Sequence, residues 1–508
     1  MLLFRGAVLL GTVLLAALSG STAGLGPADG VIPTAEELDA LARISAGAFA
    51  AAAFLLALPG LRWPRVGLGV LLLAGLSLAV GQRPEAAVSV RPPDLILITL
   101  DTVRADALDF IGGDVETART PNLSALAARS RVFRQAFSPA AITGPAHTSL
   151  LSGLHPLQHG VLLNGAALPS EMPWIPEQLQ DAGWHTEAWI SAAILDPGLG
   201  FGRGFTRYDA VFEERISAAH PLLPDPERTG FSRRGAETVA AALSARRPVE
   251  QKVFTWIHLY DAHWPYTPSL EAAQEAGLPS NAPLEPKGLS LALNVQSGWS
   301  AAEQEQGRAL YRAEIADLDS MVGAILEAAP AASVVIVGDH GESLGEHDYL
   351  FTHGKLPFAP DTHVPLLIAG PGISPSVSAA VVEITDVAGT LLALAGLPLA
   401  DGSRSLLDPI PHRQQLSLTV SDNEDLDPVF GRLSGVVVRD GGRSLGGSRT
   451  HPVATYQRAA DPRELQPRPV DAGDPLYAAF QTVIDADVVS GESEEGMTEA
   501  LRALGYIE

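Results

Sequence analysis

Acidic side chains follow two apolar runs of the sequence at the points where those runs end. Asp101 comes directly after Asp94–Leu100 (DLILITL). Asp339 and His340 follow Ser333–Gly338 (SVVIVG) in the same way. Continuous β-branched-rich runs indicate central strands of a parallel sheet, and ligands bind beyond the carboxyl ends of such strands. A lone acidic residue there is usually a turn former, but two such sites favour a divalent cation, namely Mg, Mn, Ca or Zn.

A hydroxyl residue, Thr143, stands just before Gly144-Pro145 within Ser138–His155 (SPAAITGPAHTSLLSGLH), where a helix can begin. On its own, a hydroxyl at such a position is most often an N-cap. The same position also offers backbone N–H groups and the positive end of a helix dipole to an anionic ester. The segment therefore predicts either a structural cap or a binding site for an anionic group.

Strands and helices alternate over residues 92–410. Two further strand candidates are Val253–Leu259 (VFTWIHL) and Val364–Ile368 (VPLLI). Helical patterns occur at Asn122–Ser130, Pro176–Ala182, Gly235–Ala245 and Ala301–Ala328. This alternation predicts a doubly wound α/β domain, with a mostly parallel sheet flanked by helices. Residues 411–508 predict a small C-terminal α+β subdomain, with a turn at Asp440-Gly441-Gly442 and a terminal helix near Met497–Leu504.

The first 85 residues carry three apolar stretches, near residues 3–20, 41–59 and 65–82. Each is close to the lower limit of the roughly 17–25 residues that a membrane helix needs. Arg5 precedes the first stretch, and Arg62 and Arg65 lie between the second and the third. The positive-inside rule then predicts a multi-pass anchor in the cell membrane, with the domain that follows on the extracytoplasmic (periplasmic) side. If the first stretch is instead a cleaved signal peptide, the later domain is still outside.

Composition excludes several classes of protein. The 508 residues carry a formal net charge of -24, which would repel nucleic acid. There is no cysteine, so disulfides and thiolate metal sites are excluded. The mean hydropathy of +0.17 and the charged fraction of 18% are consistent with a chain that lies partly in lipid.

Several segments resemble bacterial sulfatases, which belong to the alkaline-phosphatase superfamily. The segments are TLDTVRADAL, TPNLSALAARSRVF, TGPAHTSLLSGLHPLQHGV, HLYDAHWPY, VGDHGESLGEH, THGK before VPLLI, ADPREL and LRALGYIE. The resemblance covers about Pro93–Glu508 and implies an alkaline-phosphatase/sulfatase-like fold. It also implies that Asp101, Asp339 and His340 are metal ligands in a hydrolase of sulfate or phosphate esters.

The resemblance further assigns roles to basic residues and to the nucleophile. Thr143 stands at the nucleophile position of the family motif C/S-x-P-x-R, and His147 stands where that motif has Arg. His263 resembles the family's active-site histidine, and His353 and Lys355 resemble its later basic contacts. Sulfatases convert Cys or Ser to formylglycine, but the methyl group of Thr143 prevents an aldehyde, so no formylglycine is expected. A Thr nucleophile and an Asp-His pair resemble membrane-bound phosphoethanolamine transferases and nucleotide phosphodiesterases.

Three functions follow as expectations. The first is a metal-dependent hydrolase in which Thr143 attacks a small-molecule, glycan or lipid ester. In that enzyme His263 or His353 protonates the leaving group, and Lys355 stabilises negative charge. The second is a headgroup transferase of the phosphoethanolamine type that acts on a lipid or glycan. The third is a degenerate member that only binds an anion, which the retained set of site residues disfavours.

Overall fold

The structure is a computed structural model of the chain. It describes residues 94–112, 116–211, 232–248, 250–278, 299–400, 402–420 and 433–485. The three predicted membrane spans and the predicted helix near Met497–Leu504 lie outside these ranges. Within these ranges, no helix has both the length and the hydropathy to cross a bilayer.

Fifteen strands lie in the described part of the chain. They are β1 (Leu95–Leu100), β2 (Arg131–Phe137), β3 (His185–Ile190), β4 (Arg207–Asp209), β5 (Val253–Leu259), β6 (Ser333–Gly338), β7 (Ser343–Leu344), β8 (Leu350–Thr352), β9 (His363–Val364), β10 (Leu366–Ala369), β11 (Ser376–Glu383), β12 (Gln415–Val420), β13 (Leu433–Asp440), β14 (Arg443–Ser448) and β15 (His451–Gln457). Nine of them form one sheet in the order β11-β2-β10-β6-β1-β5-β3-β4, with β9 paired to β2.

Strand β1 lies at the centre of this sheet, parallel to β5 on one side and to β6 on the other. Its side chains alternate between two hydrophobic cores. Leu95 and Leu97 belong to one core, and Ile96, Ile98 and Leu100 to the other. Both faces are apolar because helices cover each side, which confirms the prediction of a strand buried on both faces. The carboxyl ends of β1, β5 and β6 therefore meet at one edge of the sheet.

The prediction for Val364–Ile368 as one more parallel strand is wrong. Pro365 has no N–H to donate to a sheet, and the run divides there into β9 and β10. Strand β10 is antiparallel to both of its neighbours, β6 and β2. The chain between β6 and β10 contains only short elements and no long crossover helix, so it returns in the opposite direction. An apolar run encodes burial but not strand direction.

Ten α-helices lie in the described ranges. They are α1 (Pro121–Ala127), α2 (Thr143–Ser152), α3 (Pro156–His159), α4 (Ile175–Asp181), α5 (Gly235–Ser244), α6 (Leu270–Glu275), α7 (Ala301–Ala328), α8 (Ala359–Thr362), α9 (Asp386–Ala395) and α10 (Pro475–Asp485). The four predicted helices correspond to α1, α4, α5 and α7. Both ends of α7 and the start of α5 are as predicted, and the other ends differ by one to three residues. Helix α7 is sharply defined because Ser300 and Glu303 form a capping box at its start.

A four-stranded antiparallel sheet, β12-β13-β14-β15, forms the C-terminal part of the described chain. Its β13–β14 hairpin turns at Gly441 and Gly442, with Asp440 paired to Arg443, as the sequence predicted. Gly441 has a positive φ of 54°, which a side chain would disfavour. Helix α10, which the sequence analysis missed, covers this sheet through Leu476 and Phe480.

A buried arginine joins this sheet to the catalytic domain. Arg439 of β13 is 0% exposed and forms a two-pronged ion pair with Glu464, with nitrogen–oxygen distances of 3.0 Å. It also donates to the carbonyl of Pro357, at 2.9 Å. Thr419 of β12 donates to the carbonyl of Lys355, at 3.0 Å. The C-terminal sheet therefore fixes the backbone that follows His353.

We expect the Arg439→Met substitution to lower the free energy of unfolding by about 3–5 kcal/mol, because it leaves the carboxylate of Glu464 buried without its partner. Chemical denaturation followed by circular dichroism measures this change. Arg443→Met is the matched control, since Arg443 is 44% exposed and pairs with Asp474 near the surface. Equal stability of the two variants would contradict the prediction.

Candidate active site

Two carboxylates and one imidazole meet at the carboxyl edge of the sheet. Asp101 follows β1, and Asp339 and His340 follow β6, its parallel neighbour. All three side chains are 0% exposed. One ligand atom from each lies within 4.8 Å of the other two, which is a spacing that one metal ion can bridge. The shared edge of β1 and β6 brings together residues that are far apart in sequence.

The backbone orients these ligand atoms. Asp339 Oδ1 accepts the N–H groups of His340, at 2.8 Å, and of Thr102, at 3.3 Å. Asp339 Oδ2 is thereby left 3.5 Å from His340 Nε2. Nδ1 of His340 lies 3.0 Å from the carbonyl of Gly341, which can only accept, so Nδ1 carries the hydrogen. The lone pair of Nε2 then faces the carboxylates, as in a metal-binding histidine.

The cluster fits a cation on its own chemistry. Asp101 Oδ1 and Asp339 Oδ2 are buried side-chain oxygens without a hydrogen-bond partner. Burial raises the pKa of the Asp101 carboxyl well above its ordinary value, and nearby Asp339 raises it further. Burial likewise raises the pKa of Asp339. Two buried carboxylates with free oxygens are costly unless paired with positive charge, and a divalent ion supplies that charge.

Thr143 is the first residue of α2, and its hydroxyl faces the cluster. Its Oγ1 lies 3.2 Å from His340 Nε2 and 3.4 Å from Asp101 Oδ2. The N-cap of the helix is Ile142, with no side-chain cap, so Thr143 does not serve as a cap. A hydroxyl in this place combines a helix N-terminus with two metal-ligand candidates. Such a position is suitable for a hydroxyl that a metal ion activates as a nucleophile.

Two further imidazoles, those of His147 and His258, lie against the carboxylates, and both are 0% exposed. Nδ1 of His147 lies 3.0 Å from the carbonyl of Thr143 and 3.4 Å from Asp339 Oδ2. Nε2 of His258 lies 3.4 Å from Asp101 Oδ2. Burial lowers the pKa of both imidazoles, which favours their neutral forms. His258 stands within the apolar strand β5, so its sequence context alone indicates a core or supporting residue.

A hydrogen-bond chain behind His258 orients its ring. Trp256 Nε1 donates to Thr99 Oγ1, at 3.0 Å. Thr99 Oγ1 in turn lies 3.0 Å from His258 Nδ1. With the ring held in this way, Nε2 faces Asp101 Oδ2, so His258 supports one of the three candidate metal ligands.

We expect His258→Asn to weaken binding of Mn²⁺ or Zn²⁺ by about 10- to 100-fold, the usual effect of losing a group that orients a metal ligand. Equilibrium dialysis with the metal alone measures this affinity. His412→Asn is the matched control, because the His412 side chain is 75% exposed. A metal affinity of His258→Asn equal to that of His412→Asn would contradict the assignment of His258 to the metal site.

His353, His263 and Glu342 line the next layer of the site. The His353 ring lies 4.4 Å from the ring of His340 and 4.9 Å from that of His263. Glu342 Oε1 lies 3.4 Å from His353 Nδ1. Burial opposes protonation of His353, but Glu342 overcomes it and raises the pKa above its ordinary value. Burial lowers the pKa of His263 well below its ordinary value.

Sequence reasoning did not assign a role to Glu342. Its side chain is 0% exposed, and Oε2 has no hydrogen-bond partner. Its position two residues after His340, in VGDHGE, was the available signal. A strand-end loop that already carries two predicted ligands places its next charged residues near the same edge.

Lys355 lies at the margin of this group. Its side chain is exposed, and its carbonyl is held by Thr419. Within the described ranges no hydrogen bond or ion pair involves its ammonium group. The structure therefore brings together seven of the eight site residues predicted from sequence, and it leaves the eighth, Lys355, with an exposed side chain at their margin. The seven are Asp101, Thr143, His147, His263, Asp339, His340 and His353. His258 and Glu342 are additional, supporting residues.

Comparison with known proteins identifies the family of the chain. The family model described as Sulfatase matches residues 93–397. The chain belongs to the sulfatase family, and it is an ester hydrolase. It is 24% identical over 435 residues to the choline-sulfatase of Rhizobium meliloti, which covers 73% of this chain and 81% of that protein. It is also 24% identical to the ulvan-active sulfatase of Formosa agariphila, over 65% of this chain and 68% of that protein.

Solved structures share the fold. A protein solved with its substrate D-glucosamine-2-N,6-O-disulfate matches 80% of this chain and 99% of its own, with a TM-score of 0.60 and 17% identity. The phosphonate monoester hydrolase of Agrobacterium radiobacter matches 82% of this chain and 98% of its own, with a TM-score of 0.57 and 20% identity. At these identities the likeness concerns the fold, including the central, largely parallel sheet.

Proposed function

We propose that this protein is a metal-dependent hydrolase of phosphate or sulfate esters in which Thr143 is the nucleophile. The observation that carries the proposal is the position of Thr143 Oγ1, between His340 Nε2 at 3.2 Å and Asp101 Oδ2 at 3.4 Å. The threonine itself is 2% exposed and sits at the start of a 10-residue helix. A hydroxyl buried among metal ligands has no structural task that requires this placement.

Asp101, Asp339 and His340 would hold the metal through Oδ1, Oδ2 and Nε2. A divalent ion there supplies a lowered hydroxyl pKa and neutralises the ester's nonbridging oxygens. A donor set with an imidazole as well as carboxylates favours Zn or Mn over Mg or Ca. Asp101 Oδ2 is placed to accept the hydrogen of the Thr143 hydroxyl, and the start of α2 offers a positive dipole end to the anionic ester.

The reaction takes place in two displacements. In the first, Thr143 Oγ1 forms a bond to phosphorus or sulfur, the bond to the ester oxygen breaks, and the leaving alkoxide takes a proton from His353. Glu342 holds the ring of His353 through Nδ1 for that transfer. In the second, water attacks the same centre, His263 Nε2 takes its proton, and the bond to Thr143 breaks as Thr143 Oγ1 takes back the hydrogen that Asp101 Oδ2 had accepted. Nδ1 of His263 donates a hydrogen bond to the carbonyl of Trp264, so the Nε2 atom of His263 is available as a base.

The substrate class follows from the relatives and from the nucleophile. Relatives named choline-sulfatase and ulvan-active sulfatase support a sulfate ester of a small molecule or a glycan. The threonine and the Asp-His pair instead favour phosphoesters, because the family's sulfate chemistry uses formylglycine. Lys355 would contact an anionic group of the substrate, since it is the exposed cation next to His353.

The experiment is a panel of matched aryl substrates, namely a sulfate, a phosphate monoester, a phosphodiester and a phosphonate monoester. The full chain is first freed of metal and then supplied separately with Mn, Zn, Mg or Ca. Metal-dependent turnover of at least one ester is the expected result. No turnover with any ester or metal would overturn hydrolase function and favour a headgroup transferase, for which added acceptor alcohols are the next assay.

We also propose that the three apolar stretches within residues 1–85 anchor the protein in the cell membrane, with the catalytic domain on the periplasmic side. The positions of Arg5, Arg62 and Arg65 support this orientation. Protease treatment of intact spheroplasts tests it. Digestion of the catalytic domain from outside is expected, and protection until the cells are lysed would reverse the topology.

A further inference from the structure

The segment Tyr260–Ser269, here named the His263 loop, connects β5 to α6 and carries His263 to the site. Within it, Tyr260 stacks on His263, with ring centroids 4.3 Å apart. In the middle of the loop Trp264 and Tyr266 pack against Phe351, and polar contacts on either side of them hold its backbone.

Carboxylates fix the His263 loop at three points. Both oxygens of Asp261 accept the N–H of Gly235 at the start of α5, at 2.9 and 3.1 Å. Glu314, in the middle of α7, accepts the N–H of Thr267 through Oε1. Asp317, almost one turn further along α7, accepts the N–H of Ser269, at 2.6 Å. Two helices therefore hold the loop through acidic side chains.

Asp261 and Glu314 share one cation. Arg234 lies 3.9 Å from Asp261 Oδ1 and 3.8 Å from Glu314 Oε1, and it donates to Thr267 Oγ1 at 2.6 Å. The side chains of Asp261 and Glu314 are 1% and 0% exposed, so water does little to screen them. The other titratable groups that face the pair are Asp317 of α7 and Tyr266 of the loop.

One guanidinium balances one carboxylate, so the second carboxyl has to hold a proton. Glu314 Oε2 is buried without a hydrogen-bond partner, which leaves room for that proton. Burial, together with the nearby Asp261, raises the pKa of Glu314 to about 9. Burial raises the pKa of Asp261 to about 6, against the opposing effect of Arg234. At neutral pH the set is therefore an ionised Asp261, a protonated Glu314 and a charged Arg234.

We propose that Asp261 and Glu314 are positioning residues that hold the His263 loop in its working place only while they share a single negative charge. This inference rests on the proposed function of His263 as a base. When Glu314 loses its proton, two buried carboxylates face one guanidinium, and their repulsion releases the loop from α5 and α7. The productive form is the protonated one, so both order in the loop and turnover are lost as the pH rises through about 9.

The first test is the dependence of kcat on pH for the metal-loaded full chain. We expect the alkaline fall of the unmodified protein to move upward by about one pH unit or more in Glu314→Gln, which keeps an oxygen for Thr267 N–H but has no proton to lose. Glu327→Gln is the matched control, because Glu327 lies on α7 and is exposed. An alkaline fall at the same pH in Glu314→Gln and in the control overturns the inference.

A second variant extends the test, and a second measurement makes it independent of hydrolysis. Asp261→Asn removes the other charge of the pair, so it too should move the alkaline fall upward. Hydrogen exchange read by mass spectrometry reports the loop directly. Exchange of Tyr260–Ser269, corrected for the intrinsic pH effect, should rise above about pH 9 in the unmodified protein and in Glu327→Gln but not in Glu314→Gln.

The pH dependence of kcat and the hydrogen exchange of the His263 loop distinguish failure of the proposed function from failure of this inference. If no ester is hydrolysed, the proposed function fails, whereas the exchange data still decide whether the pair controls the loop. If turnover occurs and exchange of the loop has the same pH dependence in all variants, the proposed function stands and this inference is wrong.

Discussion

Thr143→Ala is expected to abolish ester hydrolysis, with a loss in kcat of about 10⁴-fold or more, because no other hydroxyl takes the place of a covalent nucleophile. Thr143→Ser should retain activity within about tenfold, since it keeps the oxygen that lies 3.2 Å from His340. Initial rates with the best ester of the panel, at saturating metal, measure both variants. The Thr143→Ala variant should stay folded, because the hydroxyl that it removes contacts the candidate metal ligands Asp101 and His340 and joins no elements of the fold.

Thr148→Ser is the matched control, because Thr148 lies on the same helix and its hydroxyl donates to the carbonyl of Gly144, away from the cluster. Full activity of Thr143→Ala would show that water attacks the ester directly, and the two-step scheme would then be wrong. Acid quenching during turnover adds a positive readout. A phosphorylated or sulfated peptide that contains Thr143 should accumulate in His263→Ala, in which the second displacement is slow.

Asp339→Asn is expected to have the second largest effect, on metal binding and on turnover. We expect metal affinity to fall below detection at micromolar metal and kcat/KM to fall by about 10³-fold or more. An amide in this place still accepts the backbone N–H groups of Thr102 and His340, but it turns an N–H toward the cation instead of an oxygen. Equilibrium dialysis and the ester panel measure the two effects separately.

Asp408→Asn is the matched control, since Asp408 is exposed and remote from the cluster. A chelator should have the same effect on the unmodified protein as Asp339→Asn, and added metal should reverse only the chelator. Retention of metal binding by Asp339→Asn would contradict the assignment of this ligand. Retention of activity after complete metal removal would contradict metal dependence itself.

The sequence predicted those features that depend on local pattern. The apolar run Leu95–Leu100 could only be a strand buried on both faces, and the acidic residue after it had to lie at the sheet edge. The start of α7 is likewise encoded locally, because Ser300 and Glu303 form its capping box. The nucleophile position of Thr143 came from the family resemblance, because a hydroxyl at a helix start looks like a cap until its neighbours in space are known.

Other features depend on contacts between distant segments. The direction of β10 follows from the absence of a long crossover helix between it and β6, which an apolar pattern does not encode. His258 stands in a run of apolar residues, so only its distance to Asp101 reveals its role. The pairing of Asp261 with Glu314 likewise joins a loop to the middle of a helix. Glu314 has no local signal that distinguishes it from a surface carboxylate, and the position of Asp261 just after β5 does not reveal which residues it contacts.

The central place of β1 has a consequence for biosynthesis. During translation this strand leaves the ribosome well before either of its neighbours. Thr99 contacts His258, which is 159 residues later, and Thr102 contacts Asp339, which is 237 residues later. Until then the nascent chain displays LILITL, an apolar β-prone segment with both edges open, and such segments aggregate or recruit chaperones. Yield of the active protein should therefore depend on holdase supply and translation speed more than on the stability of the finished fold.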